Sequence, residues 1–301
     1  MNRAEQQILF SEQSTLERMI VETPPEDVID LRSLRVRLEM VNHLLLKEAV
    51  DTRLPAKARL TFRGRPVIGS HGIFAEFGVT ATKAFTDAVA LLAASLETDL
   101  AATGPIPNRT QNRLLITSTA LGSFGFELEE YREATLPFEN ESPVADALRK
   151  MQELLRGAAE GSDDELTDVA SGQDPRAVAA VRDFLKKLID NEAVCAVSTS
   201  GRAFGFADVG EVKRSLIRLG QDNLHENTQP FTGTFQGALP KRRTFEFSLA
   251  NTGDVISGKI GSAIIDPSVV NRYLGRQVEI QLTATRVGQG RPRYVLNQLP
   301  T

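Results

Sequence analysis

Thr244-Phe245-Glu246-Phe247-Ser248-Leu249 alternates polar and apolar residues one for one, and Gln277-Val278-Glu279-Ile280-Gln281-Leu282 does the same. Successive side chains of a strand point to opposite faces, so a period of two marks a strand buried on one face only. Three further runs flank these two: Phe231–Leu239, Asp254–Ile260 after an Asn-Thr-Gly turn, and Arg291–Gln298. With the alternating runs taken as Thr244–Leu249 and Arg276–Thr285, the stretch from Phe231 to Leu299 predicts five strands. Between the third and fourth lies Asp266-Pro267-Ser268 through Leu274-Gly275. Asp266 suits a helix N-cap, Pro267 the first helical position and Gly275 the exit.

The resulting order is three strands, a short helix and two strands. It resembles the five-stranded Greek-key barrel of the OB type, with an SH3-like barrel as the close competitor. The resemblance is one of architecture and covers about the last quarter of the chain. From Thr228 to Thr301 nine basic residues stand against four acidic ones, a balance of +5. The whole chain is −4, which leaves −9 on residues 1–227. Lys241, Arg242 and Arg243 fall between the first and second strands, and Arg286, Arg291 and Arg293 flank the turn between the fourth and fifth. In an OB-type barrel these are the loops that hold oligonucleotides. Their cations would neutralise phosphates, and Phe245, Phe247 or Tyr294 would stack bases if exposed. The competing interpretation is that short charged loops simply stay solvated and the phenylalanines fill the barrel.

The chain has 301 residues with 41% hydrophobic and 25% charged content, which is ordinary globular composition. A sequence pI near 5.6 confines any anionic partner to a local patch. Cys195 is the only cysteine, so no intramolecular disulfide can form, and no signal-peptide core or membrane-length apolar run is read. A cytoplasmic location is expected.

Residues 1–220 predict an acidic α+β body, 221–230 a linker, and 231–301 the basic barrel. In the body, residues 1–30 are polar, Met40–Val50 reads as helix and Leu34–Glu39 fits helix or strand. A hairpin is expected at Arg63-Gly64-Arg65, and a helix over Thr80–Leu96 with Phe85, Val89, Leu92 and Leu96 on one face. Leu114–Thr119 and Phe124–Glu129 form a second hairpin. Ser142-Pro143 and Asp174-Pro175 each open a helix as cap plus first-position proline. Residues 157–174 read as an exposed acidic loop. Ala193–Ser198 and Ala203–Ala207 make a third hairpin, and Val212, Leu216 and Leu219 mark a last helix. Ser118-Thr119 is followed by Phe124-Gly125-Phe126, and Ser198-Thr199 by Phe204-Gly205-Phe206 at the same offset. The echo fits either a duplicated helix-plus-hairpin unit or two hairpins with one packing solution.

Catalytic motifs are not evident. His43, His71 and His225 are far apart in sequence, no H-E-x-x-H occurs, and Ile68-Gly69-Ser70-His71-Gly72 is not a nucleophile elbow. Cys195 sits among apolar neighbours, as a buried thiol does. Glu127 and Glu129 would share a strand face, the one pairing of carboxylates that suggests acid–base chemistry. Asp163, Asp164, Glu165 and Asp168 lack calcium-loop spacing. No P-loop or dinucleotide fingerprint appears. The expectation is a non-catalytic binding protein, a subunit of a larger assembly, with no cofactor and no metal. Its barrel would contact single-stranded nucleic acid or an acidic partner through Lys241, Arg242, Arg243, Arg286, Arg291 and Arg293. The alternatives are a protein-only adaptor or self-assembling homo-oligomer and, last, a hydrolase-type enzyme with a site between body and barrel.

Overall fold

A computed structural model describes residues 12, 15–16, 19–20, 23–24, 27–49, 55–98, 100–120, 124–132, 142–199, 201–220, 222–261 and 263–300, the side chains of 28, 29 and 42–49 excepted. Mixed helix and strand are arranged as a sheet-and-helix body followed by a closed five-stranded barrel.

The body is built on an antiparallel sheet whose order is β4 (Leu114–Thr119), β5 (Phe124–Glu130), β1 (Lys57–Gly64), β6 (Ala193–Thr199) and β7 (Arg202–Gly205). Leu60 pairs with Phe126 on one side and Val197 on the other, so these apolar residues share the face that is buried. Helices α2 (Ala75–Glu97), α3 (Pro143–Ala159) and α5 (Pro175–Asp190) cover that face, with α2 packed against both others. Phe62 meets Phe77 edge-on at 5.2 Å, and Phe85 meets Phe184 at 5.5 Å, in the T-shaped geometry that ring quadrupoles favour. The expected caps hold. Ser142 Oγ accepts from Ala145 N, and Asp174 accepts from the amides of Arg176 and Ala177.

Several expectations change. Val28–Ala49 is one helix, α1, which settles the ambiguous Leu34–Glu39 as helical. Arg63-Gly64-Arg65 does not close a hairpin, because β1 pairs with β5 and β6, while β2 (Val67–Ile68) pairs with β3 (Gly72–Ile73). Helix α2 begins at Ala75, five residues ahead of the expected start at Thr80. At 23 residues α2 is long and apolar enough to cross a membrane by length and composition, contrary to the expectation that no such run exists. Phe77, Phe85, Val89 and Leu92 on this helix are buried in the body core. The turn expected near Leu121–Ser123 lies outside the described residues.

The acidic stretch 157–174 is not a loop. Asp163–Ala170 is a helix, α4, opened by a capping box in which Ser162 Oγ accepts from Glu165 N and the Glu165 carboxylate accepts from Ser162 N. Leu166, Thr167 and Ala170 turn inward. Helix α6 (Val209–Arg218) follows β7, capped by Asp208.

Nor are residues 224–230 a linker. They are the first half of β8 (Leu224–Leu239), which pairs along its length with β11 (Gln277–Val287), from Leu224 opposite Val287 to Thr234 opposite Gln277. The barrel closes in the order β10 (Val255–Ile260), β12 (Arg293–Leu296), β11, β8, β9 (Thr244–Leu249). Every pair is antiparallel except β10–β12, which is parallel. A 3₁₀ turn over Pro267–Tyr273, capped by Asp266, takes the place of the expected short helix between the third and fourth barrel strands. Phe235, Phe245, Phe247, Ile280, Leu282 and Leu296 fill the interior.

Candidate functional site

The barrel is seated on the body through helix α4. Thr167 Oγ1 accepts a buried hydrogen bond from Val287 N at 3.0 Å, and Val287 belongs to the body's own core. Asp164 Oδ1 accepts from Arg291 N at 2.6 Å. The Arg293 guanidinium grips Asp168 with two donors, Nε to Oδ1 at 2.5 Å and Nη2 to Oδ2 at 3.1 Å. Lys259 Nζ reaches the Asp168 carbonyl at 2.7 Å and Ser171 Oγ at 3.2 Å. Burial lowers the Lys259 pKa, partly offset by Asp168, and the hydrogen bond to Asp168 raises that of Arg293. The charge contrast read in the sequence is thus used in part inside one chain.

This seating divides the six basic residues. Arg293 is committed to Asp168. Arg243 is committed within the barrel: it sits at the exit of the 3₁₀ turn Pro240–Arg242 with φ +50, and its side chain donates to the carbonyls of Ile260, Gly261 and Ile264. Arg291 anchors α4 by its amide while its side chain stays exposed. Arg286 stands opposite His225 near the start of β8, whereas Lys241 and Arg242 follow its last residue, Leu239. The pairing puts Arg286 beside the start of β8 and Lys241 and Arg242 beyond its end.

Lys241 and Arg242 remain exposed and make no hydrogen bond or ion pair among the described residues. Arg272 joins them, because its neighbour Asn271 bonds both the amide and the carbonyl of Ala238 at the end of β8. Arg272 lies in the expected helical segment, and only the fold shows that this segment packs beside the Lys241 turn. Asp266 is the nearby acid. The Ser268 hydroxyl and amide hold its carboxyl below the usual range, with Arg272 a minor contributor. Leu239 and Ile265 are exposed at the same end, Ile265 at 92%.

The aromatic residues considered for base stacking are otherwise engaged. Phe245 and Phe247 are buried in the barrel and pack edge-on against Phe235, and Tyr294 packs edge-on against Phe231 at 5.7 Å. On the outer face of β9, Glu246 is exposed. Such a face offers phosphates and bases little.

The catalytic alternatives have structural explanations. Glu127 pairs with Arg59 at 2.6 Å and Glu129 with Lys57 at 3.8 Å across the open side of the sheet. His71 lies on an exposed turn. Cys195 is buried, which pushes its thiol pKa well up and keeps it from acting as a thiolate. Among the described residues no group of three or more potential metal ligands converges. Comparison with protein-family models, with curated proteins and with solved structures finds no match to this chain.

Proposed function

We propose that this protein is a non-catalytic binding subunit whose barrel is of the OB type and meets the phosphate backbone of single-stranded nucleic acid at the Lys241–Arg242 end. The observation that carries this is the exposed, unpaired Lys241 and Arg242, with the exposed Arg272 on the 3₁₀ segment that packs against theirs, on a chain whose other barrel cations are partly consumed by internal contacts. The strand order, the single parallel β10–β12 closure and the 3₁₀ turn between the third and fourth strands support the OB reading over the SH3-like one. With the aromatic rings packed inside, binding rests on charge and is indifferent to base sequence.

Fluorescence anisotropy of a labelled single-stranded oligonucleotide at low salt tests this. The native protein is expected to bind, and the double reversal Lys241→Glu with Arg242→Glu to weaken binding at least tenfold with the fold retained by circular dichroism. No binding by the native protein, or equal binding by the variant, removes the proposal. Loss of a protein partner instead would point to an acidic polypeptide on the same patch, for which the exposed Leu239 and Ile265 are suited.

A further inference from the structure

Where β10 ends, the chain runs alongside the Lys241–Arg242 turn and is fastened to it. Ile260 N donates to the Arg243 carbonyl at 2.7 Å, and the Arg243 guanidinium donates to the carbonyls of Ile260, Gly261 and Ile264. Ile264 is buried in the barrel core, and its own amide donates to the Gly261 carbonyl at 3.2 Å. On the other side, the Asp266 carboxylate accepts from the amide and hydroxyl of Ser268, and the Asp266 carbonyl accepts from Val269 N. Ile265 lies between these two fixed points and is 92% exposed.

A single isoleucine in water needs no explanation, because much of any folded surface is apolar. Here two further facts apply. The residues before and after Ile265 are pinned, so the fold presents this side chain to solvent rather than leaving it there by slack. It also has company: Leu239, 58% exposed, ends β8 immediately before the same turn. Asn271 ties the segment that follows Ile265 to the end of β8 through the amide and carbonyl of Ala238. Two exposed aliphatic side chains thus share one end of the barrel with the exposed Lys241 and Arg242. Each unit of a single-stranded nucleic acid offers the complement of that pairing, a phosphate anion beside an unstacked base with an apolar face. An acidic polypeptide supplies the charge with no obligatory apolar face next to it.

We propose that Ile265, with Leu239, packs against the bases of a strand whose phosphates meet Lys241 and Arg242, so that this end of the barrel prefers a base-bearing strand to bare sugar-phosphate backbone. The inference deepens the proposed function and rests on it. Charge draws the strand in, and the aliphatic pair adds the preference, as apolar side chains do where they wedge against base steps. No sequence preference results, because every base has such a face.

Fluorescence anisotropy of the intact chain at low salt tests this with two labelled probes of equal length, a single-stranded oligonucleotide and an abasic strand with the same phosphates. The native protein is expected to bind the base-bearing strand about fivefold tighter, as partial burial of one aliphatic side chain supplies. Ile265→Asn should bring the two affinities together by a loss on the base-bearing strand, and Ile265→Leu should keep them apart, with circular dichroism checking the fold of both variants. Equal affinity of the native protein for the two strands overturns the base contact and leaves the charge reading standing, whereas binding of neither strand removes both. Weakening of both strands alike by Ile265→Asn also overturns it, since that marks a role in the shape of the loop rather than in contact with bases.

Discussion

Gly125 and Gly205 sit at the same place in the two Phe-Gly-Phe strands, yet they answer to different neighbours. A Cβ on Gly125 would fall inside van der Waals contact of the Leu60 carbonyl oxygen and Thr61 Cα, both backbone atoms of the adjacent central strand. A Cβ on Gly205 would meet the Ala196 side chain at 3.0 Å, at the sheet edge where β7 can shift. Gly125→Ala is therefore expected to destabilise the protein by on the order of 3 kcal/mol and Gly205→Ala by clearly less, read as urea midpoints. Equal losses would contradict this asymmetry. The two motifs share an edge-on pairing of their phenylalanines, at 6.2 Å and 5.0 Å, but β5 is an interior strand and β7 an edge. The two copies of the echo thus occupy inequivalent places in the sheet.

At the scale of the element, α4 is the piece that the sequence disguised. Ser162-Asp163-Asp164-Glu165 is a capping box, S-x-x-E, and is legible as one, but the density of acidic and small residues around it points to a loop. Glu165 accepts hydrogen bonds from Ser162 N and Oγ, which depress its pKa in the folded protein. A carboxylate depressed on folding contributes stability above its unfolded pKa and loses it as pH falls through the folded value. The urea midpoint should therefore fall on acidification through the carboxylate range, and Glu165→Gln should flatten that part of the profile. An unchanged slope in the variant would place the acid sensitivity elsewhere. Helices opened by Ser142-Pro143 and Asp174-Pro175 and the cleanly alternating strands were legible because their signals are local. The β1 pairings and the extended start of β8 were not: His225–Gln229 is polar throughout, carries no alternation and takes its strand form from β11 alongside it.

Across the whole molecule, body and barrel are joined by the buried bond from Val287 N to Thr167 Oγ1. Thr167→Val keeps the shape and leaves that amide without its acceptor, a change worth about 1–3 kcal/mol in thermal or urea stability. Arg293→Ala should matter less, since its pair with Asp168 is partly exposed. The same joining explains how much of the proposed binding surface could be read. Lys241 and Arg242 were found from sequence as charges in a turn. That Arg243 and Arg293 serve the fold, that Arg272 belongs with the patch, and that Arg286 lies toward the far end of β8 are facts of tertiary arrangement that no spacing encodes.

In the proposed complex a few cations at the Lys241 end meet phosphates. The dependence of affinity for single-stranded oligonucleotide on salt measures their number directly. With three cations engaged, log affinity should fall against log salt with a slope of about −2, and the Lys241→Glu, Arg242→Glu variant should show a much shallower slope or no binding. A slope near zero in the native protein, or an undiminished slope in the variant, would contradict it.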